Sequence, residues 1–122
     1  MFAVVVETRT FPEPTVVMVV GEIDLVSAPD LREHVLRLPD GDLVLDISRV
    51  SLLAAAGLRA LLELQGGRVR AGAQFVVAAP SAPARRALSV TGVDKKLPVA
   101  ASVEAALALV SAAAAPDGPR HV

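Results

Sequence analysis

The sequence contains no cysteine, tryptophan or tyrosine, and aromatic residues make up only 2% of its 122 residues. Without cysteine the chain can form no disulfide, no thiolate metal site and no thiol nucleophile. With so few rings, the core must be built from Val, Leu, Ile and Ala, which carry most of the 53% hydrophobic fraction. We therefore expect helices rich in small residues, packed on a sheet of β-branched strands.

A large excess of charge of either sign is also missing. Twelve Lys and Arg residues face 13 Asp and Glu residues, and no segment concentrates enough basic residues to form a nucleic-acid surface. No apolar run approaches the roughly 18 residues of a membrane span. Near the start of the chain, Glu7 and Arg9 interrupt the apolar run that a signal peptide would need. We expect a cytoplasmic protein that neither binds nucleic acid nor inserts into a membrane.

Two Val-rich runs, Ala3 to Glu7 and Thr15 to Val20, are separated by Phe11-Pro12-Glu13-Pro14. Because proline cannot donate to a strand ladder, this arrangement predicts an N-terminal β-hairpin. Further along, apolar residues alternate between short runs and helical spacing. The runs predict strands over residues 43–45, 74–78 and 97–99, and the spacing predicts helices that begin near residues 28, 57, 83 and 102. Ser27 is expected to cap the first helix, and Gly66 with Gly67 to end the second.

This order of elements predicts an α/β fold in a single domain. A small mixed β-sheet would begin with the hairpin and continue through β-α-β units with right-handed crossovers, packed with about four helices. We expect the domain to span residues 1–111 and residues 112–122, which contain Pro116-Asp117-Gly118-Pro119, to form a flexible tail.

Few side chains in the sequence suggest catalysis or metal binding. His34 and His121 are far apart and have no companion cysteine, so neither a zinc site nor a catalytic centre is predicted. Glu22, Asp24 and Asp46 follow predicted strands and could gather at one end of the sheet, where paired carboxylates suit acid-base chemistry or a divalent cation. We favour loop carboxylates that cap turns or face a partner. The sequence thus predicts no enzyme, no cofactor and no metal site.

Three stretches together resemble the STAS family, the bacterial anti-sigma-factor antagonists and their relatives. Gly21-Glu22-Ile23-Asp24-Leu25, followed by Ser27 and Leu31, resembles the signature before the family's first helix. Leu45 to Leu53 resembles its "D-L-S-x-V-x-F-L" strand and loop, and Thr91-Gly92-Val93-Asp94-Lys95 resembles its closing "T-G-L-D-K". The resemblance spans roughly residues 3–111 and implies the same small mixed sheet packed with helices.

The chain departs from this family at the start of the second helix. Relatives that act as phosphorylation switches carry Asp, Ser, a small residue and Gly there, whereas this chain has Ala54-Ala55-Ala56-Gly57. Ala55 therefore occupies the phosphoacceptor position without a hydroxyl. The resemblance implies a partner-binding surface held near its unphosphorylated shape, with Leu52 to Ala56 as an exposed ridge. Carried over from the matching motifs, the partner-binding residues would be Asp24, Ser27, Asp46, Ser48, Ala54, Ala55, Ala56, Gly57 and Leu58.

The resemblance implies an anti-sigma-factor antagonist, a non-enzymatic protein that binds a kinase-like anti-sigma factor and so frees a sigma factor. Two alternatives stay open: a STAS subunit of an ABC-type lipid transporter that binds its ATPase, and a STAS domain that senses a small ligand. Homodimer formation also stays open. Ser48, Ser51, Ser89 and Thr91 remain as hydroxyls for a kinase, although each suits a turn or a cap.

Overall fold

The computed structural model describes the backbone of residues 5–9 and 14–114 and the side chains of residues 14–111. The strands are β1 (Val5–Arg9), β2 (Thr15–Ile23), β3 (Leu43–Leu53), β4 (Phe75–Ala78) and β5 (Val99–Ala100). The helices are α1 (Ala28–Leu36), α2 (Ala55–Arg70), α3 (Ala82–Thr91) and α4 (Val103–Ala114), with a 3-10 turn at Val93–Lys95.

The five strands form one sheet in the order β1-β2-β3-β4-β5. β1 is antiparallel to β2, and the other neighbouring pairs are parallel. The prediction of a hairpin followed by β-α-β units, with four helices, is confirmed. Because the parallel strands follow one another in chain order, crossovers of one hand bring α1, α2 and α3 to the same face of the sheet.

The core has two parts, one on each face of the sheet. On the face covered by α1 to α3, helix residues such as Leu31, Leu61 and Leu88 pack against Leu45 and Phe75 of the strands. On the other face α4 packs over β3, β4 and β5, and the buried residues there are Val44, Val76, Ala78, Ala100, Ala106 and Val110. The first part of the core contains the larger Leu, Ile and Phe residues, whereas the buried residues of the second part are Val and Ala. A chain with few aromatics can therefore fill both parts.

Helix α2 is longer than predicted. Gly66 and Gly67 lie inside it, and the helix continues to Arg70. Glycine in a helix interior lowers helix stability by about 1 kcal/mol relative to alanine, but Arg68 stabilises this last turn through tertiary contacts. Its guanidinium donates hydrogen bonds to the carbonyls of Pro39 (3.0 Å) and Gly41 (2.7 Å), which ties the end of α2 to the loop after α1. The prediction that the glycines end the helix was wrong.

Strand β3 is also longer than the predicted residues 43–45, since it runs to Leu53. Its register against β2 shifts twice, between Met18 and Val20 and between Gly21 and Glu22, and each shift adds one residue to β3. Such bulges twist a strand and redirect its side chains. Past the first bulge, buried residues of β3 recur at every third position rather than every second. Because of this irregular spacing, the sequence pattern did not predict the second half of the strand.

Helix α4 continues to Ala114, so its last three residues fall within the segment 112–122 that the sequence predicts as a tail. The remainder of that segment, and with it His121, lies outside the described residues.

Candidate docking site

The loop between β2 and α1 is closed by Asp24 and Ser27. One carboxylate oxygen of Asp24, Oδ1, accepts hydrogen bonds from the amides of Val26 and Ser27, each at 3.0 Å. The Ser27 hydroxyl donates to the Glu22 carbonyl at 2.6 Å and accepts from the Asp24 amide at 3.0 Å. Hydrogen bonding by the Ser27 amide lowers the pKa of Asp24 below its ordinary value of 3.8. A buried serine and a carboxylate thus fix the shape of the loop.

The sequence predicted that the side chain of Ser27 caps α1, and this prediction was wrong. It stands at the N-cap position, but its hydroxyl makes no hydrogen bond to a first-turn amide of the helix. The hydroxyl instead forms hydrogen bonds within the loop, with the Glu22 carbonyl and the Asp24 amide. At the helix start, the Ala28 amide donates to the Asp24 carbonyl at 2.9 Å.

At the tip of this loop, two large apolar side chains point into solvent. Leu25 is 75% exposed and Val26 is 71% exposed. The neighbouring end of β3 adds Leu52, which is 43% exposed and pairs with Glu22 across the two strands. Exposed apolar residues grouped on one surface are a common mark of a protein contact.

The start of α2 lies against the end of β2. The Ala54 amide donates to the Ile23 carbonyl at 2.9 Å, and Ala54 has the extended backbone of an N-cap residue without a side-chain hydrogen bond to the helix. A Cβ atom on Gly57 would lie 2.6 Å from the Ile23 carbonyl oxygen and 2.9 Å from a methyl of Leu53. Glycine is therefore required for this close approach of helix and strand.

Of the nine residues predicted to bind a partner, Ser48 and Ala55 are exposed, and Asp24, Asp46, Ala54 and Ala56 are half-buried. Ser27, Gly57 and Leu58 are buried. These three lie beneath the exposed residues. The Asp46 carboxylate accepts a hydrogen bond from the Ser48 amide at 2.9 Å and so positions the backbone there. We call the exposed surface formed by Leu25, Val26, Ser48, Leu52 and Ala55 the docking face.

The predicted ridge from Leu52 to Ala56 is not continuously exposed, because Leu53 is buried in the core while Leu52 and Ala55 face solvent. The predicted partner-binding residues did not include Leu25 and Val26, which the structure shows to be exposed. Their signal in the sequence was an apolar pair between Asp24 and Ser27, at a turn where polar residues are usual.

Within the part of the chain that the structure describes, no group of three or more His, Cys, Asp or Glu residues is placed to hold a metal ion. Glu22, Asp24 and Asp46 do not form such a group. None of the described helices is long and apolar enough to cross a membrane.

Three solved structures illustrate what the chain is similar to. An anti-sigma factor antagonist from Mycobacterium paratuberculosis is 31% identical, with a TM-score of 0.77 over 88% of this chain and 94% of that one. The anti-sigma factor antagonist SpoIIAA in its unphosphorylated form is 17% identical, with a TM-score of 0.69 over 98% of each chain. The murine anion transporter Slc26a9 is 16% identical, with a TM-score of 0.72 over 92% of this chain but 22% of that one.

No curated protein sequence matches the chain. The family model of the STAS domain, however, matches residues 5–106, which include all five strands, α1 to α3 and the beginning of α4. The observed fold, the family model and the 31% identical antagonist agree. The chain belongs to the STAS domain family.

Proposed function

We propose that this STAS domain is an anti-sigma factor antagonist, which binds an anti-sigma factor through the docking face and thereby frees a sigma factor. The proposal rests on the exposure of Ala55 in the first turn of α2, three positions after the exposed Leu52. The proposal is supported by the relative at 31% identity, which is described as an anti-sigma factor antagonist.

The docking face suits a partner with an apolar centre and a basic rim. Full burial of Leu25, Val26 and Leu52 would contribute about 1.5–3 kcal/mol for each side chain. Glu22 is exposed beside these residues and Asp24 is half-exposed, so cationic side chains of the partner would meet carboxylates at the edge of the contact. Apolar burial would then supply affinity, and the charges would fix orientation.

Ala55 makes this contact insensitive to phosphorylation at the usual position of the family. A phosphate at a helix N-terminus would add nearly two negative charges beside the first-turn amides and change the affinity for a partner. A methyl side chain cannot accept the phosphate, so the docking face stays in one charge state. We infer that the protein is a constitutive antagonist of a kinase-like anti-sigma factor.

Affinity purification of the tagged protein from its host, followed by mass spectrometry, tests the identity of the partner. Stoichiometric recovery of a kinase-like anti-sigma factor supports the proposal. Recovery of a transporter ATPase instead would assign the protein to the alternative of a STAS subunit of an ABC-type lipid transporter. A thermal shift with a nucleotide or a small apolar ligand, without a protein partner, would favour the sensor alternative.

The substitution Ala55→Glu tests the placement of the contact. Glutamate in the first helical turn is compatible with the helix dipole, so folding should be preserved, whereas an unpaired charge in the interface should weaken partner binding at least about tenfold. Ala105→Glu is the matched control. Ala105 is an exposed alanine in the first turn of α4, on the opposite face of the sheet. Equal affinity of the Ala55→Glu variant and the wild type, measured by calorimetry, would refute this docking face.

A further inference from the structure

Two exposed surfaces of the molecule have opposite charge, and each has an apolar residue at its centre. The first, which we call the acidic loop, spans residues 22–30. It contains Glu22, Asp24 and Asp30 and no Lys or Arg. Leu25 and Val26 project from its tip, more than two thirds exposed.

The second surface, which we call the basic corner, consists of Arg85, Arg86, Val90, Lys95 and Lys96, all exposed. Val90 lies one helical turn after Arg86 on α3 and is 79% exposed. Asp94 is the single acidic residue between positions 85 and 96. The ion pairs found among the described residues are Arg32 with Glu63 and Arg37 with Glu33, so the four cations of the corner are not neutralised by any of these carboxylates.

Neither ion pair found among the described residues joins these two surfaces within one molecule. The acidic loop follows the end of β2, and Lys95 and Lys96 lie shortly before the start of β5. Arg85 and Arg86 lie in the first half of α3, which begins after the end of β4, and Arg85 donates a hydrogen bond to the Pro80 carbonyl at 3.2 Å. Because all strands from β2 to β5 are parallel, their starts share one edge and their ends share the other. Among the described residues no ion pair neutralises either surface, so each surface can pair with the opposite surface of a second copy.

We propose that copies of this chain associate head to tail, with the acidic loop of one copy bound to the basic corner of the next. Glu22 and Asp30 would face Arg86 and Lys95, and Leu25 and Val26 would pack on Val90. The contact joins two different surfaces, so it leaves one free surface of each kind and can extend into a chain of copies. Its small apolar centre and charged rim are typical of a weak, transient contact.

This association would regulate the docking face if the proposed function holds, since Leu25 and Val26 belong to both surfaces. A copy bound at its acidic loop could not present these residues to an anti-sigma factor, so self-association and partner binding would compete. The self-association itself does not depend on the identity of the partner protein. A monomer that binds an anti-sigma factor would refute the self-association alone.

Sedimentation velocity of the full chain at rising protein concentration provides the first test. At about 0.01 M salt, where the Debye length is about 30 Å, the weight-average mass should rise above that of one chain. At about 1 M salt, where the Debye length is about 3 Å, it should return toward the single-chain value. A chain that remains monomeric at low salt up to millimolar concentration would overturn the proposal.

Two double variants identify the surfaces. Glu22→Lys with Asp30→Lys reverses the acidic loop, and Arg86→Glu with Lys95→Glu reverses the basic corner. Each variant alone should be monomeric, because its two surfaces then carry charge of the same sign. Combining both pairs of substitutions in one chain should restore association with inverted charges. Asp24 is left unchanged, since it holds the loop.

Mixing two unlike molecules gives a stricter test. The loop-reversed variant keeps a wild-type basic corner and the corner-reversed variant keeps a wild-type acidic loop, so an equimolar mixture should associate although each variant alone is monomeric. The reversed loop of the first variant and the reversed corner of the second are also complementary in charge, so the two molecules should alternate along the assembly. Glu104→Lys, a charge reversal on α4, is the control and should leave self-association unchanged. Failure of the mixture to form a complex, or persistent association of either double variant alone, would show that the assigned surfaces are wrong.

Discussion

Two helices of this domain begin side by side at the edge where the strands end, and their first turns are built differently. The N-cap residue of α3 is Ser81, whose hydroxyl accepts a hydrogen bond from the Ala84 amide at 3.3 Å and donates one to the Val50 carbonyl at 2.5 Å. The N-cap residue of α2 is Ala54, which has the same extended backbone but no side-chain acceptor.

The two helix starts show how an exposed surface can be rigid without polar side chains. The start of α3 is held by a serine that bonds both the helix and β3. The start of α2 is held through the main chain, by the bond from the Ala54 amide to the Ile23 carbonyl and by the contact of Gly57 with β2. As a result Ala55 and Leu52 form an exposed apolar surface at the start of α2, and the position of this surface is still fixed.

Gly57→Ala should have the largest effect, because it removes the main-chain support of α2. The added methyl would lie 2.6 Å from the Ile23 carbonyl oxygen, a backbone atom that cannot move without shifting β2. Overpacking of this kind costs about 1–3 kcal/mol, and we expect the upper end of that range. Urea denaturation should record a lower midpoint at unchanged slope.

Gly67→Ala is the control for this substitution. Gly67 lies in the same helix, with no other atom within 4 Å of an added Cβ. There the alanine should stabilise the protein by about 0.5–1 kcal/mol, because it lowers the entropy cost of ordering the helix. If both variants changed the free energy of unfolding in the same direction, the close approach at Gly57 would not be what fixes α2.

Ser81→Ala should have the next largest effect, because it removes the side-chain support of α3. Loss of an N-cap serine costs about 0.5–2 kcal/mol, and here the Val50 carbonyl also loses its donor. Ser89→Ala is the control in the same helix, at an exposed position, and should change the free energy of unfolding by less than about 0.5 kcal/mol. Thermal unfolding of both variants distinguishes loss of the cap from general loss of serine.

Ala54→Asp should stabilise the start of α2 by giving the helix the cap that it lacks. The residue already has N-cap backbone angles, φ −88° and ψ 175°, so an aspartate can accept from a first-turn amide without rearrangement. We expect a gain of about 1 kcal/mol in the free energy of unfolding. Ala54→Asn supplies an acceptor without charge, so a gain in stability by both but weaker partner binding by Asp alone would separate capping from docking. No gain by either would mean that the Ile23 contact already restricts the turn.

The order of the elements could be predicted because β-branched runs and helical spacing are local signals. The length of α2 could not, since Arg68 bonds carbonyls 27 and 29 residues earlier in the chain, and this contact outweighs the poor helix propensity of Gly66 and Gly67. The full length of β3 was also missed, because its two bulges break the alternation by which a strand is recognised.

The candidate site was predictable to the extent that its residues act locally. Asp24 was expected to position loop amides, and it accepts hydrogen bonds from two of them. The burial of Ser27, Gly57 and Leu58 depends on how β2, β3 and α2 pack, and neither spacing nor composition reveals that. The exposure of Leu25 and Val26 is a consequence of the same packing.

The smallest expected effect concerns the acid stability that Asp24 contributes. Because its pKa is lower in the folded protein than the ordinary 3.8, the ionised form is favoured by folding. Its contribution is therefore complete above the unfolded-state pKa and is lost as pH falls through the folded-state pKa. The carboxylate is partly open to solvent, so the loss should be modest.

Asp24→Asn keeps a side-chain acceptor but does not titrate in this range. Between about pH 7 and about pH 3, the free energy of unfolding should fall more steeply for the wild type than for Asp24→Asn. Parallel pH profiles for the two proteins would show that the loop gains nothing from the charge, and that an uncharged acceptor closes it equally well.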